Sequence, residues 1–177
     1  MNAEASNTVR ITKAEANDAA ALAELINSAY RGEGAKLGWT TEADLLDGTR
    51  TDPDLMSGII GSPANIVLKY TEGDRLCGCV ELRLEGKRLY LGMLTVRPDL
   101  QGKGIGKALM LASEKEARNH NCKSIFMTVI SVRRELIDWY IRHGYVDTGL
   151  RKPFAFNDPR YGLPRQQLEF AVLEKQL

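Results

Sequence analysis

Glycine and lysine residues cluster where a strand-like run gives way to a helix-like one, in the segment VRPDLQGKGIGKALM at residues 96–110. Amides without intrahelical partners at the start of a helix, together with the helix dipole, bind anionic oxygens such as those of phosphates. Glycines let the main chain approach those oxygens because they carry no Cβ atom. Lys103 and Lys107 add positive charge. The segment is a candidate diphosphate site; the alternative is a turn that only lets a strand and a helix pack closely.

Two better-known phosphate-binding patterns do not fit these glycines. The Walker A pattern requires G-x-x-x-x-G-K-[ST], so that a hydroxyl can hold magnesium. Here Ala108 follows Gly106 and Lys107, and Gln101 occupies the position of the first glycine. The dinucleotide pattern G-x-G-x-x-G would need a glycine at Lys107, and it belongs to a parallel βαβ unit near the start of a chain. A nucleoside triphosphatase and a dinucleotide enzyme are therefore both disfavoured.

The pattern that does fit is Q-x-x-G-x-G, formed by Gln101, Gly104 and Gly106, preceded by LTVRPDL and followed downstream by WYIRHGY. On these motifs, and on the order of elements along nearly the whole chain, the sequence resembles the GNAT superfamily of acetyl-CoA-dependent N-acyltransferases. The resemblance implies acetyl-CoA as co-substrate, no metal, and transfer of an acetyl group to a primary amine. It also implies an α/β (α+β) fold with a mixed, mostly antiparallel central sheet, flanking helices and a strand splay at the cofactor site.

The resemblance implies two groups of cofactor-binding residues. The main chain at the end of one strand would pair with the pantetheine arm, and an amide near Leu94 would bond the thioester carbonyl as charge develops on its oxygen. The amides of the glycine-rich loop would hold the pyrophosphate of coenzyme A. The implied residues are Leu94, Thr95 and Val96 on the strand and Gln101, Gly102, Lys103, Gly104, Ile105, Gly106 and Lys107 in the loop.

Acyl transfer to an amine needs an acid to protonate the departing thiolate and a base to deprotonate the ammonium group. The resemblance places the acid at Tyr140 in LIDWYIRHGY, although Tyr140 also lies in line with Leu136 and could be a core aromatic. Glu81 is the first candidate base because it interrupts an apolar strand; alternatively it forms a surface pair with Arg83. A chain of water molecules is a further alternative.

Three other residues have open interpretations. Glu33 and Glu42 are second choices for the base. Arg133 stands seven residues before Tyr140, where many members of the family carry an asparagine. This arginine could meet a cofactor phosphate, meet an acidic substrate, or lie solvated at a helix start.

The acceptor should be recognised by two loops, at residues 30–46 and 151–166. Their aromatic residues could form the walls of the acceptor cleft or pack under the loops as small satellite cores. The charges favour no single amine, so a polyamine, an amino acid, an aminoglycoside-like drug, a protein N-terminus and a lysine all remain open. A catalytically idle acyl-CoA-binding sensor or subunit is the rival function. The aromatic residues concerned are Trp39, Phe154, Phe156 and Tyr161.

The elements that must position these residues begin with a strand over residues 8–12 and a helix to Tyr30, opened by a capping box of Thr12 and Glu15. RGEGAKLGWT predicts a loop, EADLL a short helix capped by Thr41 with Asp44, and PDLMSGII another helical piece. The predicted buried stripe of the first helix is Ala19, Leu22, Ile26 and Ala29.

From Ile66 the hydrophobic period changes to two. NIVLKY, RLCGCVELRL and RLYLGMLTV predict three strands joined by tight antiparallel turns. A helix from Ile105, a strand SIFMTV and a helix RRELIDWYIRH ended by Gly144 follow, and YVDTGL and QQLEFAVLEK supply the last strands. The predicted order is β-α-α-β-β-β-α-β-α-β-β.

Bulk properties suit one ordinary globular domain. The chain has 177 residues, of which 44% are hydrophobic. Its net charge of +1 gives no reason to expect a nucleic-acid partner, and no apolar run is long enough to cross a bilayer, so no membrane partner is expected either. We expect a disordered tail at residues 1–7 and a single domain over residues 8–177. Three cysteines, with no secretion signal, predict reduced thiols in the cytoplasm, and no histidine has metal-ligand spacing to them. The last strand would suit an edge-to-edge homodimer as readily as a monomer.

Overall fold

A computed structural model describes residues 8–154 and 162–177; the predicted tail at residues 1–7, and Phe156 and Tyr161, lie outside them. The strands are β1 (Val9–Lys13), β2 (Leu46–Asp47), β3 (Asn65–Glu72), β4 (Arg75–Glu85), β5 (Arg88–Val96), β6 (Ser124–Ile130), β7 (Val146–Pro153), β8 (Leu163–Pro164) and β9 (Glu169–Gln176). The helices are α1 (Ala19–Tyr30), α2 (Gly32–Ala35), α3 (Pro53–Gly61), α4 (Ile105–Asn119) and α5 (Arg134–Arg142).

Seven of the strands form one sheet in the order β1-β3-β4-β5-β6-β9-β7. Every neighbouring pair is antiparallel except β5 and β6, which are parallel. Their pairing is confined to Arg88–Tyr90 of β5 and Ser124–Phe126 of β6, so the two strands diverge beyond it. The predicted mixed, mostly antiparallel sheet with a strand splay is confirmed.

Helices cover both faces of the sheet, because the central strands β3, β4 and β5 each have apolar side chains on both faces. The helices α1 and α3 pack on one face with Val67, Cys79 and Met93. The helices α4 and α5 pack on the other, where Leu82 and Leu109 are fully buried. Each such leucine contributes roughly 1.5–3 kcal/mol by leaving water. The predicted stripe of α1 is confirmed, since all four of its residues are buried: Ala19, Leu22, Ile26 and Ala29.

The start of α1 differs from the prediction. Residues Thr12 and Lys13 pair with β3, so they are extended and cannot open a helix. A turn of 3-10 helix at Ala16–Asp18 precedes α1 instead, and the Glu15 amide donates to the Asp18 carboxylate at 2.8 Å. The capping interaction therefore lies three residues later than the sequence pattern suggested.

The segment after α1 also differs. The predicted loop contains the four-residue helix α2. The predicted helix EADLL is a turn, closed by bonds from the amides of Leu45 and Leu46 to the carbonyl of Glu42. The chain then enters the two-residue strand β2, which pairs with β8. The pairing of β2 with the distant strand β8 thus competes with helix formation in EADLL.

The cysteines are unpaired and buried. The register of β3 and β4 shifts between Tyr70 and Thr71, so Cys77 is an extra residue on β4. This bulge places Cys77 and Cys79 in the cores on opposite faces of the sheet. Burial raises the pKa of the Cys79 thiol to about 12, so that thiol stays protonated.

Candidate functional site

The glycine-rich segment forms a loop whose main-chain amides are free. Gly102 and Gly104 have φ angles of 80° and 84°, in the left-handed region that favours glycine. Gly104 is the N-cap of α4, and the first bond of the helix runs from the Ala108 amide to the Gly104 carbonyl at 3.0 Å. Within the part of the chain that the structure describes, no amide from residue 101 to 107 donates to another group of the protein.

Positive charge surrounds these amides. The dipole of the 15-residue helix α4 adds about half a positive charge at its start. Lys103 and Lys107 are exposed and, among residues 8–154 and 162–177, neither forms an ion pair. The loop can therefore accept a strongly anionic group without a metal.

The side chain of Gln101 connects this loop to its neighbours. Its Oε1 accepts a hydrogen bond from the Trp39 amide at 2.9 Å, and its Nε2 donates to the Val96 carbonyl at 3.3 Å. A Cβ atom at Gly38 would overlap the Gln101 side chain. Gln101 thus fixes the segment around Trp39 to the end of β5.

A first cavity of about 310 Å³ lies beside the loop. All the predicted cofactor-binding residues except Lys103 are among its described lining residues. Trp39 and Trp139 form part of its wall with ring centroids 6.2 Å apart, and a Cβ atom at Gly106 would come within 3.3 Å of Trp139. The lining residues from the predicted set are Leu94, Thr95, Val96, Gln101, Gly102, Gly104, Ile105, Gly106 and Lys107.

A second cavity of about 300 Å³ lies between the diverging strands β5 and β6. Residues 90–94 of β5 and 127–130 of β6 line it, with Phe154 and Phe170 stacked 5.1 Å apart between their ring centroids. Five residues line both cavities, so the two adjoin through the strand splay. These shared residues are Tyr30, Leu94, Arg133, Leu136 and Tyr140.

Tyr140 lies on α5 at the junction of the two cavities. Its ring packs against Trp139 and Tyr145, with centroids 5.1 and 5.8 Å away, and only 5% of the residue is exposed. Its hydroxyl has no hydrogen-bond partner among the described residues. Burial raises the pKa of Tyr140 well above its usual value of 10, so the phenol keeps its proton at neutral pH. Tyr140 is both a packed aromatic and a group able to donate a proton into the site.

A bulge on β5 accompanies the splay. Cys79 pairs with Thr95 and Glu81 pairs with Gly92, which leaves Met93 and Leu94 opposite one residue of β4. Met93 has a φ angle of 46°, an uncommon value for a residue other than glycine. The Thr95 hydroxyl donates to the Met93 carbonyl at 2.8 Å, which fixes the distorted backbone.

Tyr30, at the end of α1, holds the same bulge from the other side. Its hydroxyl donates to the Leu94 carbonyl at 2.8 Å. Burial raises the pKa of Tyr30 to about 12, so it remains a donor. The role of Tyr30 has no local signal in the sequence, because its partner is 64 positions away and tyrosines are common at the ends of helices.

Glu81 is buried on the face of the sheet covered by α1. The interpretation as a surface pair is wrong, because Arg83 pairs with Glu85 at 2.7 Å and Glu81 is 9% exposed. Burial raises the pKa of the Glu81 carboxyl, while the charges of Arg83 and Arg50 oppose that shift. Glu81 is not among the described residues that line either cavity.

The other candidate bases are engaged elsewhere. Glu33 is exposed and pairs with Lys36 at 3.0 Å. Glu42 is buried and its two carboxylate oxygens contact the guanidinium groups of Arg31 and Arg133. Arg133 also donates to the Thr40 hydroxyl at 2.8 Å. The alternative that Arg133 is solvated is wrong, since only 6% of it is exposed.

Two classes of feature are not found in the described part of the chain. No helix of residues 8–154 and 162–177 is long and apolar enough to cross a membrane. The same residues hold no group of three or more histidine, cysteine, aspartate or glutamate side chains placed to bind a metal ion.

The family of the chain follows from comparison with known proteins. Residues 20–145 match the model of the acetyltransferase (GNAT) family, and the chain belongs to this family. None of the curated proteins matches the sequence. The family and the fold together identify the chain as an acetyltransferase of the GNAT type.

Solved structures agree with the fold. The ribosomal-protein-S18-alanine N-acetyltransferase from Escherichia coli is 11% identical, with a TM-score of 0.72 over 96% of this chain and 94% of that one. The Salmonella typhimurium protein yncA, solved with its cofactor acetyl-CoA, is 22% identical, with a TM-score of 0.70 over 97% of this chain and 95% of that one. An N-acetyltransferase from Staphylococcus aureus Mu50 is 15% identical, with a TM-score of 0.71 over 96% and 97% of the two chains.

Proposed function

We propose that the protein transfers an acetyl group from acetyl-CoA to a primary amine by direct attack of the amine. One observation carries this proposal. The amides of residues 101–107 have no partner among the described residues, and all of these residues except Lys103 line a cavity that adjoins a second cavity through the strand splay. In this proposal the first cavity would hold the coenzyme and the second would hold the acceptor. The similar fold of the Salmonella typhimurium protein, solved with acetyl-CoA, supports the assignment of the coenzyme.

The proposed cofactor site has two parts. The amides of residues 101–107, with Lys103 and Lys107, would hold the pyrophosphate, and the exposed Lys103 would act from outside the cavity. The main chain of residues 94–96 would align the pantetheine arm. Bound acetyl-CoA supplies an activated thioester. We also propose that residues 8–177 act as one domain, because strands from both ends of the chain share the sheet.

The proposed acid is Tyr140. It borders both cavities, its phenol is protonated at neutral pH, and its hydroxyl is unpartnered within the described ranges. The hydroxyl would hold its proton beside the sulfur position and give it to the departing thiolate. Tyr30 would position the reacting centre by holding the Leu94 carbonyl, which keeps the bulge of β5 in place.

The proposed base is Glu81, acting through water. Its raised pKa makes it a stronger base than an exposed glutamate, and it pairs with Gly92, which lines the second cavity. Water must relay the proton because Glu81 is not among the described residues that line the second cavity.

The lining of the second cavity also supports the rival function, an idle acyl-CoA-binding sensor or subunit. The one described carboxylate that lines this cavity belongs to Glu42, and it already pairs with Arg31 and Arg133.

Turnover separates the two functions. Calorimetry would measure acetyl-CoA binding, and a thiol reagent would follow free coenzyme A in the presence of a broad panel of amines. We expect binding, and thiol release that depends on one class of primary amine. Tight binding without release on any amine would instead identify an acyl-CoA-binding module.

A further inference from the structure

The second cavity has an excess of guanidinium groups. Three arginines and one glutamate are the charged residues among its described lining: Arg31, Arg50, Arg133 and Glu42. Such a lining repels a polycation and attracts a group of negative charge. Its volume, about 300 Å³, is at the lower end of the range for small-molecule sites.

The wall of the cavity carries a buried positive charge. Arg31, Glu42 and Arg133 are each less than 10% exposed, and the two guanidinium groups share one carboxylate. These three side chains together carry two positive charges and one negative charge. The Nε atom of Arg133 is buried and has no hydrogen-bond partner in the described chain. A buried, incompletely paired charge is costly, and an anion placed beside it recovers part of that cost.

The main chain at Arg50 is held in place by Asn27, and its guanidinium lies near the ring of Tyr30. Asn27 accepts hydrogen bonds from the amides of Arg50 and Thr51 at 2.8 and 3.1 Å, and donates to the Thr51 carbonyl at 2.9 Å. The guanidinium lies 5.8 Å from the centre of the Tyr30 ring, at the junction of the cavities. Across residues 8–154 and 162–177 it contacts no carboxylate within ion-pair distance, although the residue is half-buried.

We propose that the acceptor is a small amine that also carries a carboxylate, as a free amino acid does, and that Arg50 binds this carboxylate. The inference rests on the proposed function and names its substrate class. A guanidinium binds a carboxylate through two parallel hydrogen bonds, which fixes the orientation of the molecule as well as its charge. Arg50 lies beside Tyr30, which borders both cavities, so the amine end of a molecule bound by Arg50 would be within reach of Leu94 and Tyr140.

The test compares molecules that differ only in the anionic group. Each of a set of α-amino acids is assayed beside its carboxamide and its decarboxylated amine, together with a polyamine and a short peptide that has an acidic side chain. Rates are compared at equal concentrations of unprotonated amine, since the three forms differ in amine pKa. We expect kcat/KM for the preferred amino acid to exceed that of its carboxamide by about tenfold or more.

The variant Arg50→Gln should remove that preference while acetyl-CoA affinity stays unchanged. Its matched control is Arg88→Gln, because the Arg88 guanidinium lies 4.1 Å from the centre of the Phe126 ring but outside the described lining of both cavities. Arg88→Gln should retain the preference in full. Equal preference in Arg50→Gln and wild type, or a best substrate that is a polyamine or the peptide, would overturn the inference and leave acetyl transfer intact.

A binding measurement keeps the inference testable without turnover. Calorimetry measures the affinity of the protein, saturated with coenzyme A, for the preferred amino acid and for its carboxamide. Binding of the amino acid that Arg50→Gln weakens by about tenfold, with no turnover of any amine, would support this site and refute the proposed reaction. Equal binding of the amino acid and its carboxamide would refute the site.

Discussion

At the scale of single residues, the site combines groups whose protonation is fixed by burial. Tyr140 is buried and Tyr30 is half-buried, and desolvation raises the pKa of each phenol above its usual value. Their hydroxyls differ in what they contact. Tyr30 donates to the Leu94 carbonyl, whereas Tyr140 has no partner within the described residues and borders both cavities. The first is built to position the strand and the second is available to a substrate.

Removing the Tyr140 hydroxyl should therefore slow the reaction without unfolding the protein. For Tyr140→Phe we expect kcat to fall by about 100-fold or more, the usual effect of losing a general acid, with little change in acetyl-CoA affinity. Steady-state kinetics, calorimetry and circular dichroism measure the three quantities.

Tyr145→Phe is the matched control for this variant. The Tyr145 hydroxyl is also buried without a partner in the described chain, and its ring contacts that of Tyr140, but Tyr145 is not among the described residues lining the cavities. It should keep the wild-type kcat. If Tyr140→Phe were as active as Tyr145→Phe, Tyr140 would not be the acid.

At the scale of elements, the start of α4 is the feature on which the proposed cofactor binding depends. Gly104 caps the helix with a φ angle of 84°, and a Cβ atom there would meet open space. Glutamate at this position would bring negative charge to the amides proposed to hold the diphosphate. We expect Gly104→Glu to weaken acetyl-CoA binding at least tenfold, about 1.4 kcal/mol, in a calorimetric titration.

The control for this substitution is Gly149→Glu on β7. Gly149 has a φ angle of 80° and equally open surroundings, so the backbone strain is matched while the cofactor site is untouched. Its affinity for acetyl-CoA should equal that of wild type. Equal affinities for a folded Gly104→Glu variant would place the diphosphate elsewhere.

Local patterns predicted the elements well. The α1 stripe, the three-stranded meander and the helix ended by Gly144 all depend on periodicity or turn chemistry within a few residues. Residues 42–46 are predicted as a helix but form a turn that leads into β2, and the pairing partner of β2, strand β8, lies far along the chain. The bulges of β4 and β5 had no local signal either, since they depend on the register between strands.

The same limit applies to the candidate site. The glycine loop and Tyr140 could be found from motifs. The contacts of Arg133 could not, because the ion pair with Glu42 joins residues 91 positions apart. Arg133 was recognised only as a departure from the family pattern. The buried cluster that it forms is a product of the folded chain.

At the scale of the whole molecule, this cluster connects three segments that enclose the site. Arg31 follows α1, Glu42 lies in the turn before β2, and Arg133 is the N-cap of α5, the helix that carries Tyr140. The Thr40 hydroxyl extends the network by accepting from Arg133 and donating to Glu135 at 3.0 Å. One carboxylate thus holds together the walls of both cavities.

Neutralising that carboxylate should destabilise the fold. In Glu42→Gln the buried guanidinium groups of Arg31 and Arg133 lose the charge of this carboxylate, and breaking a buried ion pair in this way costs roughly 3 kcal/mol or more. Urea denaturation would show this as a lower midpoint. The control Glu33→Gln removes an exposed pair with Lys36 and should cost below about 1 kcal/mol. If the two variants unfolded at the same urea concentration, the cluster would not stabilise the native state. In that case, groups other than the Glu42 carboxylate would balance the charges of Arg31 and Arg133 in the free protein.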